Sequence, residues 1–489
     1  MSSRLSRRHL LLGSAALAAT GIPAPATAQH AGHAGHAELA PNRRIGRPVS
    51  QATGAPLAAP EVRRSVDGVL TTTLRASYGP VQIDGEDAVA RTFESSYPAP
   101  TLVARPGDTM RIKLVNDLDE VTNLHTHGLH VSPSNNSDNV FLAIAPGTEF
   151  DFEFAIPADH PAGTYWYHPH VHGKTYSHVS GGMAGALIIE GGIDDLPAIK
   201  GLVEQTLVFQ SAEFDETGTI VPADDQDIHR QTRTVNGQLN PTIAIRPGEL
   251  QRWRLVNATS ETFMLLGLEG HPLHQIAKDG NAMTRPVARE QLLLEPGTRA
   301  DILVRGHQFT GSYEMRQLLW LGSDRQFEPD ALLATVVVDG EPVTGQSIPE
   351  ALIPLSEDLR GLPVDRQREI RFSVDRQPGG TRFLIDGQMV DMNRVDQTVK
   401  LGAFEEWTIY NDSTDWHPFH IHVNDFQVVA VNGEPVDEIL SWEDTRGLPP
   451  LGSLTIRHRF LDFTGKYVYH CHLLFHEDHG MMGIVEVVE

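Results

Sequence analysis

The feature that most limits how this chain can fold is a strand pattern that occurs three times. Its copies are VARPGDTMRIKLVND, AIRPGELQRWRLVNA and VKLGAFEEWTIYND, which begin at Val103, Ala244 and Val399. A second shared pattern follows each copy and begins at Pro146, Pro296 and Pro450. Beyond residue 60, short β-branched and aromatic runs alternate with glycine and proline turns, which is typical of strands. The repeats therefore predict an all-β chain of three similar β-sandwich domains.

The repeats also set the predicted domain limits. Boundaries near residues 200 and 345 give domains over 60–200, 201–345 and 346–489. The length of 489 residues agrees with this division, since one domain usually takes about 100–200 residues.

The first 28 residues read as an export signal. Ser6-Arg7-Arg8 is a twin-arginine pattern, and an apolar stretch over 10–19 and a small-residue site at 26–28 follow it. The apolar stretch is shorter than the ~20 residues of a membrane span. We expect a Tat signal over 1–28, no membrane anchor, and a periplasmic or secreted protein. Residues 29–59 are predicted to be a disordered leader, in which three histidines either collect metal ions or are incidental: His30, His33 and His36.

The charge of the chain narrows its possible partners. There are 39 basic and 63 acidic side chains, a formal net charge of −24. A net negative charge of this size repels nucleic acid and anionic lipid surfaces and attracts small cations. We therefore expect no nucleic-acid partner.

Histidine pairs occupy matching positions in the first and third repeats. Each pair has the form His-x-His, and the four pairs are His125 with His127, His168 with His170, His420 with His422, and His470 with His472. The middle repeat carries other side chains in the corresponding positions: Leu266, Leu268, Arg316 and Leu318. His271 and His274 of the middle repeat fall outside these positions and are predicted to be structural.

The spacing of these pairs predicts what they bind. Side chains at i and i+2 of a strand project from the same face, so each pair aims two imidazoles in one direction. We predict a metal centre between the first and third domains. Eight imidazoles without a carboxylate favour copper over calcium, magnesium or manganese.

Cys471 is the only cysteine and lies between two of these histidines. The alternation of a strand places its thiol on the face opposite His470 and His472, so it must serve a different site. His417, His476 and Met481 lie near it in sequence or in the aligned repeat. Two imidazoles, one thiolate and a weak methionine form the trigonal blue-copper set. A buried apolar cysteine and a zinc site are the alternatives, but neither accounts for the adjacent histidines.

The segments HTHG, HPH, HPFHIH and HCHLLFHEDHGMM resemble the four copper signatures of the multicopper oxidases, in family order from about residue 60. The resemblance is strongest to three-domain bacterial laccases and copper efflux oxidases. It implies cupredoxin-like Greek-key domains, a monomer and four copper ions. It also implies the ligands: His417, Cys471, His476 and Met481 for type 1 copper, His125 and His420 for type 2, and His127, His168, His170, His422, His470 and His472 for type 3.

The resemblance further implies the reaction and its proton donors. A donor would give single electrons to the type 1 copper by the edge of His476 or His417, and dioxygen would be reduced to water at the other three ions. Glu477 resembles the relay glutamate of bacterial laccases. Asp138 resembles a family aspartate usually followed by glycine, but here Asn139 follows. A solvated surface carboxylate is the alternative for both.

The reducing substrate is left open between two classes. Copper efflux oxidases carry a methionine-rich insertion, whereas this chain has ten methionines without such a run. This favours phenolic or aromatic-amine donors, although the acidic charge keeps cuprous ion as an alternative. Asp444 is predicted to lie near the type 1 edge, where it could hydrogen-bond a phenol or hold a metal ion, and an exposed loop carboxylate is the alternative. A copper-sequestering protein and a structural or cell-division relative are the non-catalytic alternatives, and the complete ligand set argues against the second.

Overall fold

A computed structural model describes residues 54–489 and, for their backbone alone, the strands Arg43–Arg44 and Arg47–Pro48. The predicted Tat signal over 1–28 and the leader histidines His30, His33 and His36 lie outside the described residues. In the part described, no helix has the length and apolar character needed to cross a membrane.

The first sandwich has a four-stranded and a five-stranded sheet. In spatial order the four-stranded sheet contains Glu86–Phe93, Val69–Ile83, Thr109–Asn116 and Glu149–Ala155. The five-stranded sheet contains Val62–Arg64, Ala99–Ala104, Gly185–Ile189, Gly163–His168 and His125–His127.

The middle sandwich repeats this arrangement with two more strands in the first sheet. Its six-stranded sheet contains Thr232–Val235, Val203–Ala212, Leu250–Asn257, Arg299–Arg305, Leu273–Lys278 and Asn281–Arg289. Its five-stranded sheet contains Thr242–Ile245, Ala331–Val338, Gly311–Gln317, Met264–Leu268 and Leu292–Leu294. A two-stranded ribbon is formed by Trp320–Leu321 and Phe327–Glu328.

The third sandwich has the same strand order as the middle one. Its six-stranded sheet contains Gly380–Ile385, Arg366–Gln377, Phe404–Asn411, Ser453–Arg459, Phe426–Val431 and Glu434–Pro435. Its five-stranded sheet contains Gln397–Lys400, Met482–Val488, Gly465–Cys471, His417–Ile421 and Thr445–Leu448. Helices are short and are Thr175–Ser180 and Leu474–Asp478, with 3-10 turns at Gly192–Asp195, Ala223–Asp225 and Ile228–Arg230. The predicted all-β class is confirmed.

One buried asparagine shows why the three repeats share a fold. Asn116, Asn257 and Asn411 each end the first repeated strand. The Nδ2 group of each donates to two or three backbone carbonyls, and its Oδ1 accepts from the backbone N–H two residues later. A buried loop needs such partners for its polar backbone groups. The asparagine therefore closes the same corner in all three domains.

Residues 55–58 differ from the prediction of a disordered leader over 29–59. The N–H of Leu57 donates to the carbonyl of Thr242 at 2.9 Å, and the N–H of Thr242 donates to Ala55 at 2.7 Å. These residues thus form a single parallel β-bridge, Pro56 to Thr242, at the edge of the middle domain's five-stranded sheet. Sequence alone missed this pairing because a four-residue stretch carries no periodicity.

His458 makes a specific prediction about acid stability. Its ring is fully buried against Trp407 and Phe460, and neither ring nitrogen has a hydrogen-bond partner within residues 54–489. Burial lowers the pKa of His458 to about 3. Because the unfolded chain takes up this proton first, stability is lost as pH falls from the ordinary imidazole pKa toward the folded value. Two pH units below the ordinary value, the cost is about 2–3 kcal/mol.

We therefore expect His458→Leu to reduce the loss of stability in acid. Denaturant unfolding of the metal-free protein at neutral and acidic pH, followed by tryptophan fluorescence, measures it. His479→Leu, at an exposed position, is the control. An unchanged dependence on pH in His458→Leu would contradict the assignment.

Candidate metal centre

The strand pairing brings the histidines of each domain together. In the first domain His168 lies opposite His125 on adjacent antiparallel strands, and in the third domain His470 lies opposite His420. All eight histidines of the four pairs are at most 2% exposed. Each domain therefore presents four buried imidazoles on one face of its five-stranded sheet.

The two sets interleave across the interface of the first and third domains. The rings of His125 and His422 stack with centroids 4.0 Å apart, and those of His127 and His420 stack at 3.9 Å. His472 lies 4.9 Å from His127 between ring centroids. The predicted convergence of the four pairs is thus the arrangement in the structure.

Ring nitrogens face one another at distances that suit a bound cation. The Nε2 atom of His470 lies 3.2 Å from Nε2 of His170 and 3.4 Å from Nε2 of His422. Three nitrogens, each about 2 Å from one ion, would stand roughly 3.4 Å apart. Two further groups have all ligand atoms within 4.8 Å: His125, His127 and His168, and His125, His420 and His422.

The outward nitrogens are held in place, whereas the inward ones are not paired. Nδ1 of His168 donates to the carbonyl of Pro169 at 2.8 Å, and Nδ1 of His420 to the carbonyl of Asp444 at 2.9 Å. On the inner side, no hydrogen-bond partner among the described residues reaches Nε2 of His125, His168 and His420 or Nδ1 of His127. Fixing one nitrogen so that the other points at a metal is the usual arrangement of ligating histidines.

The charge state of these rings also suits a metal. Burial, together with the neighbouring imidazoles, lowers the pKa of His125, His170 and His422 well below the ordinary value. The rings are therefore neutral, with lone pairs available for a cation. Neutral imidazoles of this kind are ligands that fit copper ions.

Cys471 belongs to a second group of possible metal ligands, separate from the eight histidines. Its Sγ atom is 3.5 Å from Nδ1 of His417 and 3.7 Å from Nδ1 of His476. Met481 is fully buried in the same core, and its carbonyl accepts from the N–H of Cys471 at 3.1 Å. Burial raises the pKa of the Cys471 thiol, so a bound cation would have to displace its proton. This donor set fits one copper ion.

Neighbouring side chains orient the two histidines of this cluster. The hydroxyl of Ser413 lies 2.7 Å from Nε2 of His417, which leaves Nδ1 directed at the thiol. The ring of His476 stacks on Phe383 with centroids 4.0 Å apart. His417 is fully buried, whereas His476 is partly exposed. An external molecule can therefore approach His476 but not His417.

The two predicted proton donors lie beside the histidine cluster and are buried. Both carboxylate oxygens of Asp138 are 3.0 Å from Nδ1 of His125, and one accepts from the N–H of Thr126. Burial raises the pKa of Asp138 to about 7.

Glu477 is fully buried, with Oε2 3.3 Å from Nδ1 of His470 and Oε1 3.6 Å from Nδ1 of His170. Burial, and then Asp478, raise the pKa of Glu477 well above its ordinary value. Neither is a solvated surface carboxylate.

Asp444 lies beside the histidine cluster and is buried, so the prediction of a place near the type 1 edge or in an exposed loop is wrong. Its side chain is 1% exposed, with Oδ1 3.2 Å from Nε2 of His127 and 3.5 Å from Nδ1 of His420. The following residue, Thr445, pairs with His420 on adjacent strands, which draws Asp444 to the histidine cluster. The cue that sequence analysis missed is this short strand, Thr445–Leu448, which follows Asp444 directly.

The histidines of the middle domain have structural partners. Nδ1 of His271 donates to the carbonyl of Glu269 at 2.6 Å, and Nε2 accepts from the N–H of His307 at 3.1 Å. No metal-binding group found within the described residues contains His271 or His274. The positions of the middle repeat that match the first histidine pair hold Leu266 and Leu268, which lie in the core of that domain.

Comparisons with known proteins agree with this arrangement. Three family profiles described as multicopper oxidase match residues 75–193, 205–340 and 363–489, one in each sandwich. The solved structure of a multicopper oxidase from Campylobacter jejuni, described as a metallo-oxidase, superposes with a TM-score of 0.80. It is 28% identical, and the match covers 93% of this chain and 99% of that one. The cupredoxin-like fold is therefore confirmed.

Two kinds of protein occur among the curated relatives. The multicopper oxidase mco of Staphylococcus aureus is 27% identical over 444 residues, which are 87% of this chain and 90% of that protein. The cell division protein FtsP of Escherichia coli (strain K12) is 31% identical over 373 residues, which are 71% of this chain and 74% of that protein. Overall sequence similarity therefore does not distinguish an oxidase from a cell division protein. The residues of the candidate site are the evidence that can distinguish them.

The contact between Asp138 and His125 makes a prediction about metal affinity. We expect Asp138→Ala to weaken binding of a metal ion at His125 by about 10–100-fold, because the ring loses the partner of its outward nitrogen. Metal content after dialysis against graded chelator measures this. Asp151→Ala, whose parent side chain is 76% exposed, is the control. Equal metal retention in both variants would refute the role.

Proposed function

The chain belongs to the multicopper oxidase family, and we propose that it couples one-electron oxidation of phenolic or aromatic-amine donors to the four-electron reduction of dioxygen to water. As a member, it is a copper-dependent oxidoreductase with dioxygen as acceptor. The observation that carries the proposal is the junction at residues 470–472. Cys471 faces one donor set, while His470 and His472 belong to the eight-histidine cluster. Three consecutive residues thus connect the two sites covalently.

We assign four copper ions per chain to these residues. His417, Cys471, His476 and Met481 would hold the type 1 ion, and His125 with His420 the type 2 ion. The type 3 pair would be held by the other six: His127, His168, His170, His422, His470 and His472. Bound copper supplies the one-electron redox chemistry and the reduction of dioxygen. The chain holds the ligands in a dry interface and excludes water from them, since all but His476 are buried.

The surroundings of His476 support an aromatic donor. Its ring is the exposed edge of the type 1 set, and Phe383 and Phe475 lie beside it with centroids 4.0 and 6.4 Å away. Phe383 is buried, whereas His476 and Phe475 are partly exposed, so a planar ring could pack against those two side chains. Within the described residues every methionine except Met389 and Met392 is buried, so the surface offers few thioethers to a cuprous ion.

Oxidation of cuprous ion is the second candidate. The similar Campylobacter jejuni enzyme is described as a metallo-oxidase, and the net charge of −24 attracts cations. We rank it second because no thioether cluster lies on the described surface.

Oxygen uptake with 2,6-dimethoxyphenol and with cuprous ion separates the two candidates. We expect the copper-loaded protein to consume dioxygen with the phenol at a kcat/KM at least tenfold above that with cuprous ion. Phe475→Ala should lower kcat/KM for the phenol by about tenfold, and Phe309→Ala, at an exposed position in the middle domain, should not. Faster uptake with cuprous ion would favour the second candidate, and no uptake with either would indicate copper sequestration without turnover.

Glu477 is the proposed carrier of protons to the cluster. Burial raises the pKa of its carboxyl well above the ordinary value, and the carboxyl lies beside His170 and His470, so it can hold the protons that water formation consumes. We expect Glu477→Gln to lower oxygen turnover by about 100-fold or more, within the range for loss of a general acid. Glu434→Gln, in an exposed ribbon, is the control. Unchanged turnover with an intact copper complement would rule out this role.

We also propose export by the Tat pathway, on the pattern Ser6-Arg7-Arg8. Replacing both Arg7 and Arg8 by lysine should leave an uncut precursor in the cytoplasm, whereas Arg4→Lys should not. Immunoblots of cell fractions measure this. Normal cleavage of the double-lysine variant would disprove the assignment.

A further inference from the structure

The middle domain contributes none of the proposed copper ligands, yet one of its side chains reaches the histidine cluster. Arg299 begins the strand Arg299–Arg305 and is fully buried. Strand pairing gives its counterparts in the other domains: Val256 pairs with Arg299, Val115 with Glu149, and Tyr410 with Ser453. Glu149 is 61% exposed and pairs with Lys113 at the surface. A buried cation at this position is thus particular to the middle domain.

Arg299 contacts all three domains. Its Nη1 and Nη2 atoms donate to the two carboxylate oxygens of Asp444 in the third domain, at 3.0 and 2.5 Å. Its Nε donates to the carbonyl of Thr164 in the first domain at 3.3 Å. Within the middle domain, Nη1 also donates to the carbonyl of Gly297 at 3.0 Å. A two-pronged pair of this kind fixes both the position and the rotation of the carboxylate.

Asp444 in turn orients one histidine from each copper-binding domain. Its Oδ1 atom lies 3.2 Å from Nε2 of His127, and its carbonyl accepts from Nδ1 of His420 at 2.9 Å. Oδ1 also accepts from the hydroxyl of Thr445, which is 3.1 Å from Nδ1 of His420. The inward nitrogens of both rings are the ones without a partner among the described residues.

Two glycines leave the space that this arrangement needs. A Cβ atom on Gly128, directly after His127, would lie 2.4 Å from Nη2 of Arg299 and 2.5 Å from Oδ2 of Asp444. A Cβ atom on Gly297 would lie 2.7 Å from the ring of His472. Both residues have positive φ, 87° and 85°. The backbone of the middle domain is thus in direct contact with the ligand shell.

We propose that Arg299 is a positioning residue for the trinuclear copper cluster: by clamping Asp444 it sets the orientation of His127 and His420. The middle domain is then part of the oxygen-reducing site, although it binds no copper. The inference rests on the proposed copper cluster.

The test compares two buried arginines of the same domain. Arg252 also forms a buried pair, with Asp301 at 2.5 Å, and its other ionic partners are Asp194 and Glu204 rather than any residue of the histidine cluster. Arg299→Met and Arg252→Met therefore both remove a buried cation, and thermal unfolding of the metal-free proteins measures the stability that each loses. Only Arg299→Met should alter the cluster.

We expect Arg299→Met to keep the visible absorption of type 1 copper and to change the electron paramagnetic resonance spectrum of type 2 copper. It should bind fewer copper ions per chain and raise KM for dioxygen at least tenfold, with a smaller change in KM for the phenol. Arg299→Lys, which keeps the charge but not the fork, should fall between wild type and Arg299→Met. Arg252→Met should keep the wild-type spectra and copper content.

Two outcomes would overturn the inference. One is a wild-type type 2 spectrum and KM for dioxygen in Arg299→Met, and the other is the same spectral change in Arg252→Met. If Arg299→Met does not fold, Arg299→Lys decides, because it keeps the buried charge but cannot hold both carboxylate oxygens of Asp444, so it must alter the type 2 spectrum. Failure of the proposed function would look different, since the wild-type protein itself would then lack the copper spectra.

Discussion

The packing of imidazole against imidazole across the interface of the first and third domains is the interaction on which the rest of the structure depends. His125 stacks on His422 and His127 on His420, so neither domain can form the cluster alone. Buried nitrogens without partners are costly in a dry interface. Coordination of a metal ion offsets that cost. Metal binding and the docking of the two domains are therefore coupled, as expected where a site does not exist in the unfolded chain.

Much of this arrangement could be predicted from the sequence, because repeats and strand alternation are local. The period of two residues places Cys471 and its neighbouring histidines on opposite faces, and the structure has them there. Matching positions in the first and third repeats located the metal centre without any knowledge of how the domains pack. The all-β class and the three sandwiches follow from the same pattern.

The errors concern contacts between segments distant in sequence. Asp444 looked like an exposed loop carboxylate, because its partner Arg299 lies 145 residues away in another domain. Residues 55–58 looked disordered because their only ordering contacts are with residues near 240. Nothing local marks such pairs. In sequence, only its positive charge distinguishes Arg299 from Glu149 and Ser453, the residues at the same position of the other repeats. A charged residue at the start of a strand usually faces solvent.

The β-bridge at residues 55–58 has a consequence for association between molecules. Thr242–Ile245 is the outermost strand of its sheet, paired on its other side with Ala331–Val338. An uncovered strand of this kind is a template for edge-to-edge aggregation. The residues that follow the leader occupy part of that edge, through Ala55 and Leu57. A chain shortened past residue 58 would present the free amide and carbonyl groups of this edge to neighbouring molecules, so residues 55–58 protect against self-association.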